Sequence, residues 1–193
     1  SVAVVLLLVL PAGCAHERAV SPTPANPEVA SPVAREVEFR AWATGDEGLI
    51  IAYSPEDAEW KPVDTDLESP APVISGIAFA DGLTGWAVGS EGTILHSRDG
   101  GLTWVRQQSG LEGSQETLTG VACRGPLDAW VVGPGSALHT TDGGRRWQLI
   151  ESDGALPGPL VKAHEIVFAT PEVGWAIRGL EVLATKDGGA TWD

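Results

Sequence analysis

The chain has 193 residues, 43% of them hydrophobic, which is enough for one domain with an ordinary core. Its formal net charge of −14 disfavours nucleic acid and anionic lipid headgroups as partners, because like charges repel. Most aromatic residues are tryptophans, eight against three Phe and one Tyr, so the tryptophan positions carry most of the information about the core.

The first residues predict export. Residues 2–10 form an unbroken apolar run, too short to cross a bilayer but suited to the hydrophobic region of a secretory signal. The Pro-Ala-Gly-Cys sequence that ends at Cys14 resembles the lipobox of bacterial lipoproteins, in which the cysteine receives a lipid. We predict a signal peptide over residues 1–14, a membrane anchor on Cys14, and a location in the cell envelope, at the outer membrane or in the periplasm. Cleavage by ordinary signal peptidase, with Cys14 unmodified, is the alternative.

Residues 15–35 are rich in Pro, Ala and Ser and contain almost no large apolar side chains. Proline fixes φ and the segment has no face to bury, so we predict an extended, disordered linker. Cys123 is the only other cysteine, and it cannot pair with a lipidated Cys14, so no disulfide is expected.

The remaining residues, 36–193, contain four repeats, each with two tryptophans 17 or 18 residues apart. Short apolar runs alternate with Gly-rich turns, which predicts four antiparallel strands per repeat and no helix. Small sheets of this kind bury both faces by stacking around an axis, so we predict an all-β fold, a β-propeller with one blade per repeat; a β-solenoid is the alternative. We expect the sequence to be a fragment of a larger propeller. The repeats span about 36–63, 73–108, 117–150 and 162–193, with the pairs Trp42/Trp60, Trp86/Trp104, Trp130/Trp147 and Trp175/Trp192.

Three repeats carry an Asp-Gly-Gly turn that ends in a tryptophan, between the third and fourth predicted strands. Glycine supplies positive φ there, and the Asp and the preceding Ser or Thr can accept backbone N–H groups inside the turn. Recurrence once per repeat indicates a structural role for these carboxylates, and the first repeat has a decayed version over residues 53–60. The predicted structural residues are Ser97, Asp99, Gly101, Thr103 and Trp104; Thr140, Asp142, Gly144 and Trp147; and Thr185, Asp187, Gly189, Thr191 and Trp192.

These turns resemble the Asp-box, or bacterial neuraminidase repeat, with the pattern Ser-x-Asp-x-Gly-x-Thr-Trp. The segment Gly-Trp-Ala-Val-Gly at residues 85–89, followed by Gly-Thr-Ile-Leu-His-Ser and the box, resembles the photosystem II assembly and stability factor family. The resemblance covers roughly residues 36–193. It implies a propeller of typically seven blades that binds a protein partner and catalyses nothing.

We expect no catalytic residue, cofactor or metal site. Tyr53, the only tyrosine, lies in the decayed turn, and the arginines match no clamp for a sialic acid carboxylate. For this reason sialidase chemistry is not the leading hypothesis. An exported carbohydrate-active enzyme of the sialidase-like glycoside hydrolase type, or a sugar-binding propeller, remains the alternative function. Asp64, Asp66 and Glu68 are interpreted as an acidic connector, because they lack the glycine turn of a calcium loop.

Binding is expected in the loops between the first and second strands of each blade, which vary most between repeats. Arg124, Asp128 and Glu172 are the polar residues in these loops that we predict to contact a partner. The leading hypothesis is a non-catalytic exported scaffold for a protein partner or membrane-associated complex, with no nucleic acid bound.

Overall fold

The structure is a computed structural model that describes residues 41–54, 58–150 and 160–193. The predicted signal peptide, Cys14 and the predicted linker lie outside the described residues. Among the residues described, no helix has the length and apolar character needed to cross a bilayer.

The described residues form fifteen β-strands arranged in four sheets. Except for one short strand, each strand pairs antiparallel with the strands that precede and follow it in the chain within its sheet. The strands are β1 (Trp42–Thr44), β2 (Ile50–Ser54), β3 (Glu59–Pro62), β4 (Asp64–Thr65), β5 (Ile74–Phe79), β6 (Gly85–Gly89), β7 (Ile94–Ser97), β8 (Thr103–Gln107), β9 (Gly120–Gly125), β10 (Asp128–Val132), β11 (Ala137–Thr140), β12 (Gln148–Leu149), β13 (Ala163–Phe168), β14 (Gly174–Arg178) and β15 (Glu181–Thr185).

Each sheet corresponds to one predicted repeat and is called a blade. Blade 1 contains β1 to β3, blade 2 contains β5 to β8, blade 3 contains β9 to β12 and blade 4 contains β13 to β15. In blade 4, Asp193 exchanges two backbone hydrogen bonds with Ala184 of β15, at the place where blades 2 and 3 have their fourth strand. The predicted all-β propeller architecture is confirmed.

The short strand β4 was not predicted. It belongs to the connection between blades 1 and 2, and it pairs in parallel with β8, so that Thr65 lies opposite Trp104. The connection therefore adds a fifth strand to the outer edge of blade 2. This covers an edge that would otherwise expose unpaired backbone groups.

The core consists of three separate layers of side chains, one between each pair of neighbouring blades. The tryptophan on the second strand of a blade faces the next blade, and the tryptophan after the turn faces the preceding one. Trp86 and Trp147 therefore share the layer between blades 2 and 3. Trp60 and Trp175 face outward at the two ends of the described blades and are 44% and 40% exposed. Middle strands such as β6 are buried on both faces, which explains their continuous run of small and apolar residues.

Candidate functional site

The turn of blade 2 is closed by its own side chains. Ser97 Oγ accepts the N–H of Gly101 at 2.8 Å and donates to Asp99 Oδ1 at 2.8 Å. Asp99 also accepts the backbone N–H of Thr103 at 3.0 Å and its hydroxyl at 2.6 Å. Trp104 donates its indole N–H back to the carbonyl of Gly101 at 3.2 Å. Burial raises the pKa of Asp99, but the hydrogen bonds from Thr103, Ser97 and Leu102 outweigh it and hold this pKa below its usual value. The carboxylate is therefore occupied inside the turn.

The turn of blade 4 has the same geometry, and the turn of blade 3 has two bonds fewer, because Arg146 has no hydroxyl and the indole N–H of Trp147 donates to Gln107 instead. The Thr191 hydroxyl and N–H, with the Thr185 hydroxyl, lower the pKa of Asp187 to about 2. In blade 3, Thr140 donates to Asp142 at 2.9 Å, but Arg146 stands where the other turns have a threonine hydroxyl. Arg146 offers its backbone N–H alone to Asp142 Oδ1, at 3.0 Å.

Glycine is required where each turn approaches the preceding blade. Gly101 has φ +78°, and a Cβ there would overlap the indole of Trp42 in blade 1. Gly189 has φ +90° and lies in the same way against Trp130 of blade 3. The second glycine of the turn is thus fixed by both backbone conformation and contact with the neighbouring blade.

Of the predicted binding residues, Arg124 joins blade 3 to blade 4, and Asp128 holds its guanidinium from within blade 3. The Arg124 guanidinium binds both carboxylate oxygens of Asp128, at 3.0 and 2.5 Å. It also donates to the carbonyls of Pro171 and Gly188 in blade 4, at 3.1 and 2.5 Å. Asp128 accepts a further contact from His139 Nε2 at 3.0 Å. Burial raises the pKa of Asp128, but the hydrogen bonds from Arg124 and His139 prevail and lower it.

The third predicted residue, Glu172, is exposed at the same end of blade 4. Its carboxylate accepts the Thr170 hydroxyl at 3.1 Å, and its backbone carbonyl accepts the N–H of Gly188 at 2.8 Å. The structure therefore brings Glu172 near the contacts that Arg124 makes in blade 4. A role of these three residues in partner binding stays a prediction.

The interface between blades 2 and 3 contains a polar contact that the sequence analysis missed. Gln107 Oε1 accepts the indole N–H groups of Trp86 at 3.3 Å and Trp147 at 3.1 Å. Its amide donates to the carbonyl of Gly143 at 2.9 Å. One side chain thus satisfies three polar groups from two blades. The sequence contained a signal for this contact. The third residue after the turn tryptophan is apolar in blades 1 and 3, where it is Val63 and Ile150, but it is Gln107 in blade 2.

Cys123 contributes to this interface from blade 3. It stands where blades 2 and 4 have Phe79 and Phe168, at the end of the first strand. It packs against the apolar layer between blades 2 and 3, and burial, followed by the charges of Asp128 and Asp81, raises the pKa of its thiol. A protonated, covered thiol is a weak nucleophile, so Cys123 acts here as a small apolar side chain.

A cavity of about 330 Å³ lies on blade 2 beside Gln107. Its lining includes His96, whose ring stacks on Trp86 with centroids 4.6 Å apart. His96 is 7% exposed, and its Nε2 has no hydrogen-bond partner among the described residues. Burial first, and then the charge of Arg98, lowers the pKa of His96 from 6.5 to about 4. The remaining lining residues are Arg98, Asp99, Thr103, Val105 and Gln107.

A second, more open groove of about 300 Å³ follows β4. Asp64, Asp66 and Glu68 line it together with Thr103 and Trp104 of blade 2. Within the described stretches, no three His, Cys, Asp or Glu side chains come close enough to hold a metal ion. Asp64 lies in the strand β4, and Asp66 and Glu68 follow it along the groove.

Comparison with known proteins identifies the family. The model of the photosynthesis system II assembly factor YCF48 matches residues 52–193. A solved structure of YCF48 bound to a D1 peptide is 34% identical with a TM-score of 0.54, and covers 63% of this chain and 40% of that one. YCF48 from Cyanidioschyzon merolae is 29% identical with a TM-score of 0.52, and covers 63% and 39%.

The other comparisons add the fold alone. An ancestral GH74 enzyme has a TM-score of 0.58 at 12% identity, and covers 79% of this chain and 22% of that one. No curated protein sequence matches. The chain spans about two fifths of the length of the two YCF48 structures. The match over residues 52–193 covers most of the chain, which therefore belongs to the photosynthesis system II assembly factor YCF48 family.

Proposed function

We propose that this chain is a non-catalytic scaffold that binds an extended peptide segment of a partner protein during assembly of a membrane complex. The observation that carries the proposal is the likeness to YCF48 with a bound D1 peptide, at 34% identity. By analogy, the peptide would resemble D1, and its binding would involve the end of the blades where the loops and Asp-Gly-Gly turns meet.

The chemistry of the described residues supports binding over catalysis. The recurrent carboxylates Asp99 and Asp187 accept hydrogen bonds inside their own turns, so they are poorly placed to act as acid or base on a substrate. Exposed leucines, Leu83 and Leu127, lie in the loops beside these turns and are 62% and 60% exposed. Exposed apolar side chains in loops that are held by rigid strands are a common basis for protein recognition.

The proposal is tested by titrating the full chain with a fluorescent D1 peptide of the kind bound by the YCF48 relative. We expect saturable binding that a scrambled peptide of the same composition does not reproduce. Equal binding of the scrambled peptide, or no binding of either, would reject the scaffold function. Hydrolysis of an oligosaccharide by the same preparation would favour the glycosidase alternative instead.

The proposal also includes export and anchoring through Cys14. The support is the apolar run of residues 2–10 followed by the lipobox-like residues before the cysteine. Expression in a bacterium with radiolabelled palmitate should label the chain in the membrane fraction. Cys14→Ser should abolish the label and release the chain from the membrane, and a chain that fractionates like wild type after this change would argue against the anchor.

A further inference from the structure

The chain contains an internal comparison for the cavity on blade 2. His96 in blade 2 and His139 in blade 3 occupy equivalent positions, because each pairs with the second-strand tryptophan of its own blade. Both rings stack on that tryptophan, with centroids 4.6 and 4.0 Å apart. The two histidines therefore share a backbone position and an aromatic contact.

Their hydrogen bonding differs. His139 Nε2 lies 3.0 Å from Asp128 Oδ1, and this carboxylate also pairs with the guanidinium of Arg124. His96 Nε2 is buried with no hydrogen-bond partner in the described part of the chain. A buried nitrogen without a partner costs free energy, so His96 lies in a site that lacks an acceptor or donor which blade 3 supplies.

The charged or large residues that fill this place in blade 3 are replaced at blade 2 by residues that are smaller or uncharged. By strand register, Asp128 corresponds to Thr84 and Arg124 corresponds to Ala80. Across the interface, the ring of Phe168 that faces Arg124 corresponds to Cys123. The replacements of Arg by Ala80 and of Phe by Cys123 remove side-chain volume, and the replacement of Asp by Thr84 removes a carboxylate. The cavity of about 330 Å³ is lined by blade 2 side chains, among them His96 and Gln107, and Gln107 bonds across to blade 3.

Arg98 gives the cavity a positive charge. It is exposed, it lines the cavity, and it forms no ion pair with the residues that the structure describes. Asp99 also lines the cavity, but its oxygens accept bonds from Ser97 and Thr103 inside the turn. The available groups are therefore a guanidinium and a histidine nitrogen, which together suit a carboxylate.

We propose that this cavity binds the carboxylate of an acidic side chain in the partner peptide. The incoming carboxylate takes the place that Asp128 holds in blade 3: it pairs with Arg98 and accepts the N–H of His96 Nε2. This inference rests on the proposed function, because it assigns to blade 2 one contact of the bound peptide.

The test uses the full chain labelled with ¹⁵N and a blocked tripeptide with a central glutamate. The same tripeptide with glutamine has equal size and no charge, and is the ligand control. We expect saturable shifts of the Arg98 Nε and His96 ring signals with the glutamate peptide, and at least tenfold weaker binding of the glutamine peptide. Equal shifts with both peptides would overturn the proposal.

Three variants locate the site. Arg98→Gln should weaken glutamate peptide binding at least tenfold, and because this side chain is exposed the variant should fold. Thr84→Asp should do the same by supplying the carboxylate internally, as Asp128 does in blade 3. Arg145→Gln removes an exposed charge from the turn of blade 3, outside the cavity lining, and should leave binding unchanged. Loss of binding in Arg145→Gln equal to that in Arg98→Gln, or full binding in Thr84→Asp, would contradict a defined site.

A parallel titration with the D1 peptide separates this inference from the proposed function. If wild type and Arg98→Gln bind the D1 peptide equally and the tripeptide gives no shifts, the cavity assignment is wrong and the scaffold function stands. If the tripeptide binds as expected but the D1 peptide does not, the cavity assignment stands and the D1-like partner is rejected.

Discussion

Blades 1 and 2 meet through stacked aromatic rings, whereas blades 2 and 3 meet through a glutamine. In the first interface, Phe79 stacks on Trp42 with centroids 4.1 Å apart and packs edge-on against Trp104 at 5.7 Å. In the second, Cys123 replaces the phenylalanine, and Gln107 bonds to both tryptophans. The interface between blades 3 and 4 is again aromatic, with Phe168 beside Trp130 and Trp192.

The two kinds of interface differ in what they leave unsatisfied. Where the phenylalanine is present, the indole N–H of Trp42 and that of Trp130 are buried and have no acceptor among the described residues. Where Gln107 is present, the equivalent N–H of Trp86 is bonded. The aromatic interfaces therefore leave an indole N–H without an acceptor, whereas the polar interface supplies one. The cavity lies beside Gln107, the residue at which the repeat pattern is broken.

The largest effect is expected where the aromatic interface loses a tryptophan. Trp104 is 1% exposed and Trp60, at the matching position of blade 1, is 44% exposed. Trp104→Ala should lower the free energy of unfolding by about 3–5 kcal/mol, since it removes a fully buried ring and leaves a void. Trp60→Ala is the matched control and should cost much less. Guanidinium denaturation of the full chain measures both, and equal losses would show that Trp60 is buried against a part of the chain outside the described residues.

The next effect is a loss of stability on acidification at the polar interface. The pKa of His96 is lowered from 6.5 to about 4, so the folded protein prefers the neutral ring. Its contribution is complete above pH 6.5 and is lost as the pH falls from 6.5 to about 4, by about 3 kcal/mol in all. The aspartates in the turns have lowered pKa values and would add losses only at lower pH.

Measuring unfolding between pH 7 and pH 4 checks this sign. His96→Phe keeps a ring against Trp86 and cannot titrate, so its stability should fall less over that range. A variant whose stability falls as steeply as wild type would assign the pH dependence to other groups.

Much of the fold could be predicted from the sequence because the same short-range contacts recur in the blades. The turn at Asp99 is closed by residues within four positions of it, so its pattern is visible in a short stretch. The spacing of the tryptophans likewise spans the rest of the second strand, a turn, the whole third strand and the Asp-Gly-Gly turn. The turn pattern and the tryptophan spacing depend on residues that are close in the sequence, and both recur from repeat to repeat. They can therefore be predicted from the sequence.

The contacts between blades could not be read in this way. Arg124 donates to the carbonyl of Gly188, 64 residues away, and no local pattern distinguishes this contact from a solvent-exposed loop. The strand β4 has two residues and acquires its pairing only because blade 2 presents the edge of β8. Gln107 was identifiable as a polar residue at the position where Val63 and Ile150 stand in blades 1 and 3, but two of its partners, Gly143 and Trp147, lie 36 and 40 residues away in blade 3.

A smaller effect is expected when the polar interface loses its glutamine. Gln107→Ala leaves two indole N–H groups and the carbonyl of Gly143 without their partner. Because water can enter through the adjacent cavity, we expect a loss of about 2–3 kcal/mol rather than the full penalty for three buried groups. Gln148→Ala, on the exposed strand β12, is the control and should stay within about 0.5 kcal/mol of wild type. A loss at Gln107 no larger than that at Gln148 would mean that the three hydrogen bonds contribute nothing to stability.

The smallest effect is expected when the polar interface between blades 2 and 3 is converted into the aromatic type. Cys123→Phe alone should destabilise, because the ring enters space next to Gln107. Gln107→Ile alone should destabilise by removing the hydrogen bonds to Trp86 and Trp147. Together they reproduce the pairing of Phe168 with Ile150, which share one apolar layer between blades 3 and 4. The two losses should therefore not add, with a coupling of about 1–2 kcal/mol in a double-mutant cycle. Strict additivity would mean that Cys123 and Gln107 are independent, and that the cavity owes nothing to the exchange of one interface for the other.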